Sequence, residues 1–184
     1  LYQGAWEALD LRDGMRVLEI GFGNGRFFGE LIGQAKDLKL HGLDFSKEMV
    51  EQASAQNAAL IANGTLSLSL GPSDRMPYPD ALFDRIFCIN VVYFWEDPAT
   101  HLGEVRRVLK PGGTFITVLR TRSSMEKLPF ADHGFTKYEQ VDWEQVLRAN
   151  GFIPSATKVL REAEVEFLGS RFTPESLVMT ASVA

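Results

Sequence analysis

The chain has 184 residues, 45% apolar and 23% charged, enough for one domain whose sheet is covered by helices on both faces. Nineteen basic against 24 acidic residues give a net charge of −5 with no Lys/Arg cluster, which argues against nucleic acid or an anionic membrane as the main partner. A single cysteine, Cys88, excludes an intrachain disulfide and a cysteine metal cage, and no apolar run approaches the ~18 residues of a membrane-spanning helix. No signal peptide is visible and the expected location is cytoplasmic; the chain begins at Leu1 rather than Met, which leaves room for residues in front.

Ala5 to Leu11 reads as a short amphipathic helix closed by Asp13-Gly14. Arg16 to Ile20 is the first strand, and after a glycine turn the apolar spacing of Phe28, Leu31, Ile32 and Ala35 predicts a helix to about Lys36. Leu38 to Leu43 is the second strand, ending at Asp44. Ser46 caps a helix that carries Met49, Val50, Ala53, Leu60 and Ile61 and is closed by Asn63-Gly64. Leu66 to Leu70 alternates as a third strand, 71 to 82 is turn-rich, and Arg85 to Asn90 is a fourth strand. Asp97-Pro98 opens a helix that Pro111-Gly112-Gly113 stops, followed by a strand over Thr114 to Leu119. Tyr138 to Ala149 is a helix ended by Asn150-Gly151, and the tail holds a strand pair around a turn near Gly169 to Pro174. Strand–helix alternation implies a mostly parallel sheet with right-handed crossovers, and the tail an antiparallel partner at one edge.

The stretch Val17-Leu-Glu-Ile-Gly-Phe-Gly-Asn-Gly-Arg-Phe27 carries the first chemical signal. Glycines at 21, 23 and 25 admit positive φ and close approach of a ligand, and the turn opens onto a helix N-terminus. A dinucleotide turn follows Gly-x-Gly-x-x-Gly; here the third glycine comes one residue early and Arg26 stands in its place. Glu19, two residues before the first glycine, suits an ammonium group and works against a diphosphate. Asp44, at the end of the second strand, suits a pair of ribose hydroxyls, a feature shared with nicotinamide enzymes.

Glu19-x-Gly21-x-Gly23-x-Gly25 resembles the first motif of the class I S-adenosylmethionine-dependent methyltransferases, where the turn holds the methionine end of the cofactor. Gly71-Pro-Ser-Asp-Arg-Met-Pro-Tyr-Pro-Asp80 resembles the family's segment after the third strand. Pro72 replaces the usual aspartate near the adenine amino group, leaving Ser73 by its backbone, or Asp74. Ile89-Asn90-Val91-Val92-Tyr93-Phe94-Trp95 and Arg-Val-Leu-Lys-Pro-Gly-Gly at 107 to 113 resemble the branch that includes quinone-biosynthesis methyltransferases (methyltransferase type 11).

The resemblance implies an α/β, Rossmann-like, doubly wound, mostly parallel seven-stranded sheet with an antiparallel edge strand pair at the C-terminus. It implies a single domain over 1–184, a lid segment at 121–137 and S-adenosylmethionine as cofactor. The cofactor set is then Glu19, Gly21, Phe22, Gly23, Gly25, Asp44, Phe45, Met49, Ser73, Asp74, Asn90 and Val91. Phe45 and Met49 either lie against adenine or pack in the core; Asn90 lies beside the methyl-bearing sulfur, its amide read as a polar group too costly to bury unpaired. The aromatics Tyr93, Phe94 and Trp95 face substrate or pack a helix. The catalytic base is unknown: His133 in the lid and Tyr93 are the weak candidates, while His41 and His101 read as structural or solvated. No cluster has metal-ligand spacing, and Cys88 reads as an inert core thiol. Met125, Phe130 and Phe135 give the lid an apolar character and point to an apolar or aromatic small-molecule acceptor. Cover for the site stays open between absence, truncation and a second subunit, so a homodimer is one expectation. The competing readings are a nicotinamide-dependent oxidoreductase, a cofactor-binding module that acts through a partner without catalysis, and a protein or RNA methyltransferase, the last disfavoured by the acidic balance.

Overall fold

Five short segments of the sequence become the five parallel strands of one sheet. In the computed structural model, which describes residues 2–127, 134–167 and 170–183, these are β1 (Arg16–Ile20), β2 (Lys39–Asp44), β3 (Leu66–Leu70), β4 (Phe83–Ile89) and β5 (Leu109–Arg120). Two long strands of the tail, β6 (Phe152–Arg161) and β9 (Glu175–Val183), complete it in the order β3-β2-β1-β4-β5-β9-β6, with β9 antiparallel to both neighbours. Between them a small antiparallel hairpin forms from β7 (Val165–Phe167) and β8 (Ser170–Phe172). β1, the end of β4 and the second half of β5 are nearly continuous in buried residues because helices cover both faces, whereas β3, at an edge, buries only Leu66.

One face packs on α5 (Pro98–Val108) and α7 (Gln140–Ala149), with Leu18, Ile86, Phe115, Leu102, Trp143 and Met179 in its core. Trp143 fills that core without stranding its indole, since Nε1 donates to buried Thr117 Oγ1 at 2.8 Å. The other face packs on α1 (Tyr2–Leu9) and α2 (Phe28–Ile32), through Trp6, Leu9, Phe28, Leu31, Phe87 and Ile116. Cys88 is fully buried and burial pushes its thiol well above the ordinary range, with Glu19 adding to the shift. Among the described residues, no helix is long and apolar enough to cross a membrane.

Several boundaries differ from those the sequence predicts. The helix after the glycine turn closes at Ile32, not Lys36, because Gly33 caps it and takes a tightened bond to Glu30 O. The helix capped by Ser46 is two helices, α3 (Lys47–Gln56) and α4 (Ala58–Ala62), broken at Asn57. Asn57 leaves helical geometry to turn its amide inward, donating to Gly25 O at 2.9 Å and Ala53 O at 3.0 Å. The helix α5 ends at Val108 rather than at Pro111, since Leu109 is already extended and pairs with Phe83. A four-residue helix, α6 (Arg122–Met125), follows β5, and α7 starts two residues late behind a reciprocal Glu139–Asp142 cap.

Asn57 thus fastens the second crossover, from β2 to β3, to the glycine turn. Asn57→Ala leaves buried Gly25 O with only the long bond from Phe28 N (3.4 Å) and is expected to lower stability by about 1–3 kcal/mol in thermal or denaturant unfolding.

Candidate active site

Parallel strands end on one rim of the sheet, and a cleft of about 500 Å3 opens there, bordered by residues that follow β1, β2, β3 and β4. The three glycines of the first turn do different work. A Cβ on Gly21 would lie 2.4 Å from Val91 Cγ2, and one on Gly25 would lie 2.7 Å from Ala53 Cβ, so both are required by packing. Gly23 has φ +58 and nothing within 4 Å of its would-be Cβ; the protein itself does not fill that space.

Asp44 holds the turn in place. Its Oδ2 accepts from Gly23 N and its Oδ1 from Ser46 N, both at 2.9 Å, while Ser46 Oγ caps α3 through Met49 N at 3.3 Å. A carboxylate oxygen has two lone-pair directions, so each oxygen of Asp44 keeps one free to accept from a vicinal diol.

Beneath the turn lies Glu19, 6% exposed and with no hydrogen-bond partner among the described residues. Burial, then the charge of Asp44, pushes its carboxyl up to about 8. The phenol of Tyr2 is also raised, by burial and then by Glu19. A buried acid left unpaired is the setting in which an ammonium group is bound most favourably.

Of the residues expected to contact a cofactor, the cleft collects Gly21, Asp44, Phe45, Met49, Ser73, Asn90 and Val91. It does not collect the others. The ring of Phe22 turns into the core beside Phe28, occupying the space that a Cβ on Gly42 would need; only its backbone belongs to the turn. Asp74 is exposed and lies outside the cleft lining, and Glu19, Gly23 and Gly25 sit below or beside it. Asn90 is exposed rather than buried, so the burial argument for it does not apply. It stands in the left-handed region, φ +58, and its Oδ1 accepts from Tyr93 Oη at 3.1 Å.

Tyr93 is 4% exposed, its hydroxyl also accepts from the backbone amide of Arg120, and burial raises its pKa; it braces the ends of β4 and β5 and is not poised to take a proton. Phe94 and Phe45, by contrast, are 59% and 80% exposed at the cleft. In the lid segment Met125 is buried and Phe135 packs edge-on against Phe94 at 5.0 Å; Phe130 and His133 lie outside the described residues.

His101 reads as structural or solvated in the sequence, which misses its place at the cleft. It borders the cleft, stacks flat on Trp95 (4.8 Å, 3°), and its Nδ1 lies 2.8 Å from Ser73 Oγ. Burial lowers its pKa, opposed by Asp74 and Asp97. The signal was present in Asp97-Pro98: that cap fixes the start of α5 at the carboxyl rim and so brings its first turn to the cleft. Among the described residues no group of three or more His, Cys, Asp or Glu is suited to a metal ion.

The buried acid predicts a measurable linkage. The folded-state pKa of Glu19 lies above its unfolded value, so the protonated carboxyl stabilises fully below about pH 4.5 and that contribution is lost as pH rises towards about 8. Glu19→Gln is expected to flatten this slope and to raise the melting temperature of the ligand-free protein at pH 8, measured by calorimetry across pH 5 to 8.5.

An unfilled space over Gly23, free acceptor positions on Asp44 and an unpaired acid beneath them fit a ligand that carries a diol and a cationic amine. Residues 18–117 match the family described as "Methyltransferase domain". The chain is 27% identical to the methyltransferase YdaC of Bacillus subtilis over 67% of its own length and 66% of that protein's. It is 34% identical to the demethylmenaquinone methyltransferase of Deinococcus radiodurans over 55% and 41%. It therefore spans two thirds or less of the length of these relatives. A SAM-dependent methyltransferase from Aquifex aeolicus superposes with a TM-score of 0.72 at 20% identity, covering 97% of this chain and 88% of that one. The glycine turn with its acid, the strand order and the family match converge: the chain belongs to the class I S-adenosylmethionine-dependent methyltransferases, with S-adenosylmethionine as its cofactor.

Proposed function

We propose that this chain transfers the methyl group of S-adenosylmethionine to a small apolar or aromatic acceptor. The observation that carries the acceptor class is the mouth of the cleft on the side of Asn90, where Phe94 exposes its ring in a cleft lined also by Ile20, Leu43 and Ile89. The quinone in the name of the Deinococcus relative supports the same class.

The residues divide the cofactor by chemistry. Glu19 takes the ammonium group and the backbone of Gly21 to Gly25 the rest of the methionine end. Asp44 accepts from both ribose hydroxyls, and its two amide donors keep it oriented for them. Phe45, Met49 and Val91 flank adenine, and Ser73 reads its edge, since Asp74 stands away from the cleft. Asn90, fixed by Tyr93, lies at the end where the acceptor enters. When bound, the cofactor supplies both the electrophilic methyl and its own leaving group. The chain's contribution is therefore orientation and exclusion of water. Tyr93 is excluded as a base by its burial and its two hydrogen-bond partners, so an acceptor that needs no strong base suits this cleft best.

Asp44→Asn removes the charge that makes the double acceptance strong, and is expected to weaken S-adenosylmethionine binding at least tenfold by calorimetric titration. Glu19→Gln is expected to weaken it as well while stabilising the free protein, a split that a purely structural Glu19 would not produce. For the acceptor, a panel of quinols, phenols and apolar amines is expected to be methylated. Turnover confined to polar or macromolecular acceptors would overturn the proposed class.

A further inference from the structure

A second cavity, about 350 Å3, lies at the opposite, amino-terminal rim of the sheet, roughly a strand's length from the cofactor cleft. Its size is in the range that holds small ligands. Arg16, Lys39 and His41 border it, with the hydroxyl residues Thr65 and Ser67, and no carboxylate among the described residues does. The strand pairing explains the cluster. Arg16 on β1 is in register with Lys39 on β2, and His41, two residues on, points to the same face and is in register with Ser67 on β3.

Two cations side by side on adjacent strands cost stability unless something offsets them. The protein supplies little. Among the described residues, Lys39 Nζ donates only to the carbonyl of Gly64, at 3.0 Å. The guanidinium of Arg16 has no hydrogen bond or ion pair among the described residues. Asp84 is the acid beside β1, but its oxygens turn to the Arg16 amide at 2.8 Å and Lys110 Nζ at 2.7 Å rather than to the Arg16 guanidinium. In a chain of net charge −5, an unpaired cationic cluster around a cavity runs against the overall field.

We propose that this cavity binds a phosphate-type oxyanion, either free phosphate or the phosphate of a monoester. The planar fork of Arg16 suits two oxygens of such a group, Lys39 adds a point charge and Ser67 a hydroxyl donor. His41 is held low by burial and then by Arg16. The groups around it are Arg16 on β1, Lys39 on its own strand, Ser67 on β3, and the rings of Tyr78 and Phe83 at 5.8 and 5.2 Å. None is an acid, so an arriving anion would be its first counter-charge and would raise its protonation.

Histidine proton resonances, assigned with His41→Gln, test this. Inorganic phosphate at constant ionic strength is expected to shift the His41 signal saturably, with half-saturation in the millimolar range or below. The double variant Arg16→Gln/Lys39→Gln, at two exposed positions, is expected to need at least tenfold more phosphate while keeping or raising its melting temperature and keeping its S-adenosylmethionine affinity; Lys39→Gln alone is expected to need a smaller excess. Glycerol 3-phosphate in a parallel arm separates the sources, tighter binding of the ester identifying a monoester and tighter binding of phosphate the free anion. An equal shift with chloride, or an unchanged titration in the double variant, overturns the proposal. Cofactor affinity, read at the far rim, fails or holds independently.

Discussion

Two backbone amides, from Gly23 and Ser46, converge on the one carboxylate of Asp44, and the shape of the cleft depends on that convergence. The glycine turn belongs to the first βα unit and Ser46 to the second. Without a shared anchor, the two loops would be free to move separately over the rim. With it, the first turn takes its geometry from the cap of α3, and α3 in turn reaches back through Asn57 to Gly25 O. The circuit Gly23–Asp44–Ser46–α3–Asn57–Gly25 closes on itself. Every member is a hydrogen bond to backbone, so the turn is held by groups that a side-chain substitution elsewhere does not easily disturb.

That arrangement separates stability from binding. Glu19 is buried with no hydrogen-bond partner among the described residues, beside a closely packed β1 neighbourhood in which Val17, Leu18, Ile20, Phe28 and Phe87 are all nearly inaccessible. The rim therefore carries a carboxyl suited to a positive group, set against a packed core. Nothing comparable is found at Tyr93, whose hydroxyl is fully used in joining the ends of β4 and β5.

The parallel core was legible in the sequence because strands covered on both faces carry short apolar runs, as Val17-Leu18 in β1, Ile86 to Ile89 in β4 and Phe115-Ile116 in β5 do. Glu19, the glycines and Asp44 were legible for the same reason in reverse: they interrupt or terminate such runs. What was not legible depends on distant partners. The break at Asn57 needs the carbonyl of Gly25, thirty-two residues away, before an asparagine in a helical stretch becomes a helix end. The pairing of His101 with Ser73 and Trp95 joins a helix, a loop and a 3-10 turn, and no local pattern announces it. Phe22, in the middle of the motif, looked like part of the site because its neighbours are; alternation sends its ring to the opposite side, into Gly42's empty space.

The position of β9 has a bearing on how the chain acquires its shape. Although it comes last in order, it sits inside the sheet, donating and accepting on both sides, between β5 and β6. Until residues 175–183 emerge from the ribosome, β5 presents an open border and β6 has nothing to pair with. The strands before it can assemble during synthesis, but the sheet is completed by β9, threaded between two elements that precede it in the chain. A nascent chain halted before that point would display two sticky borders at once, which makes the closing strand the step where aggregation and correct assembly compete.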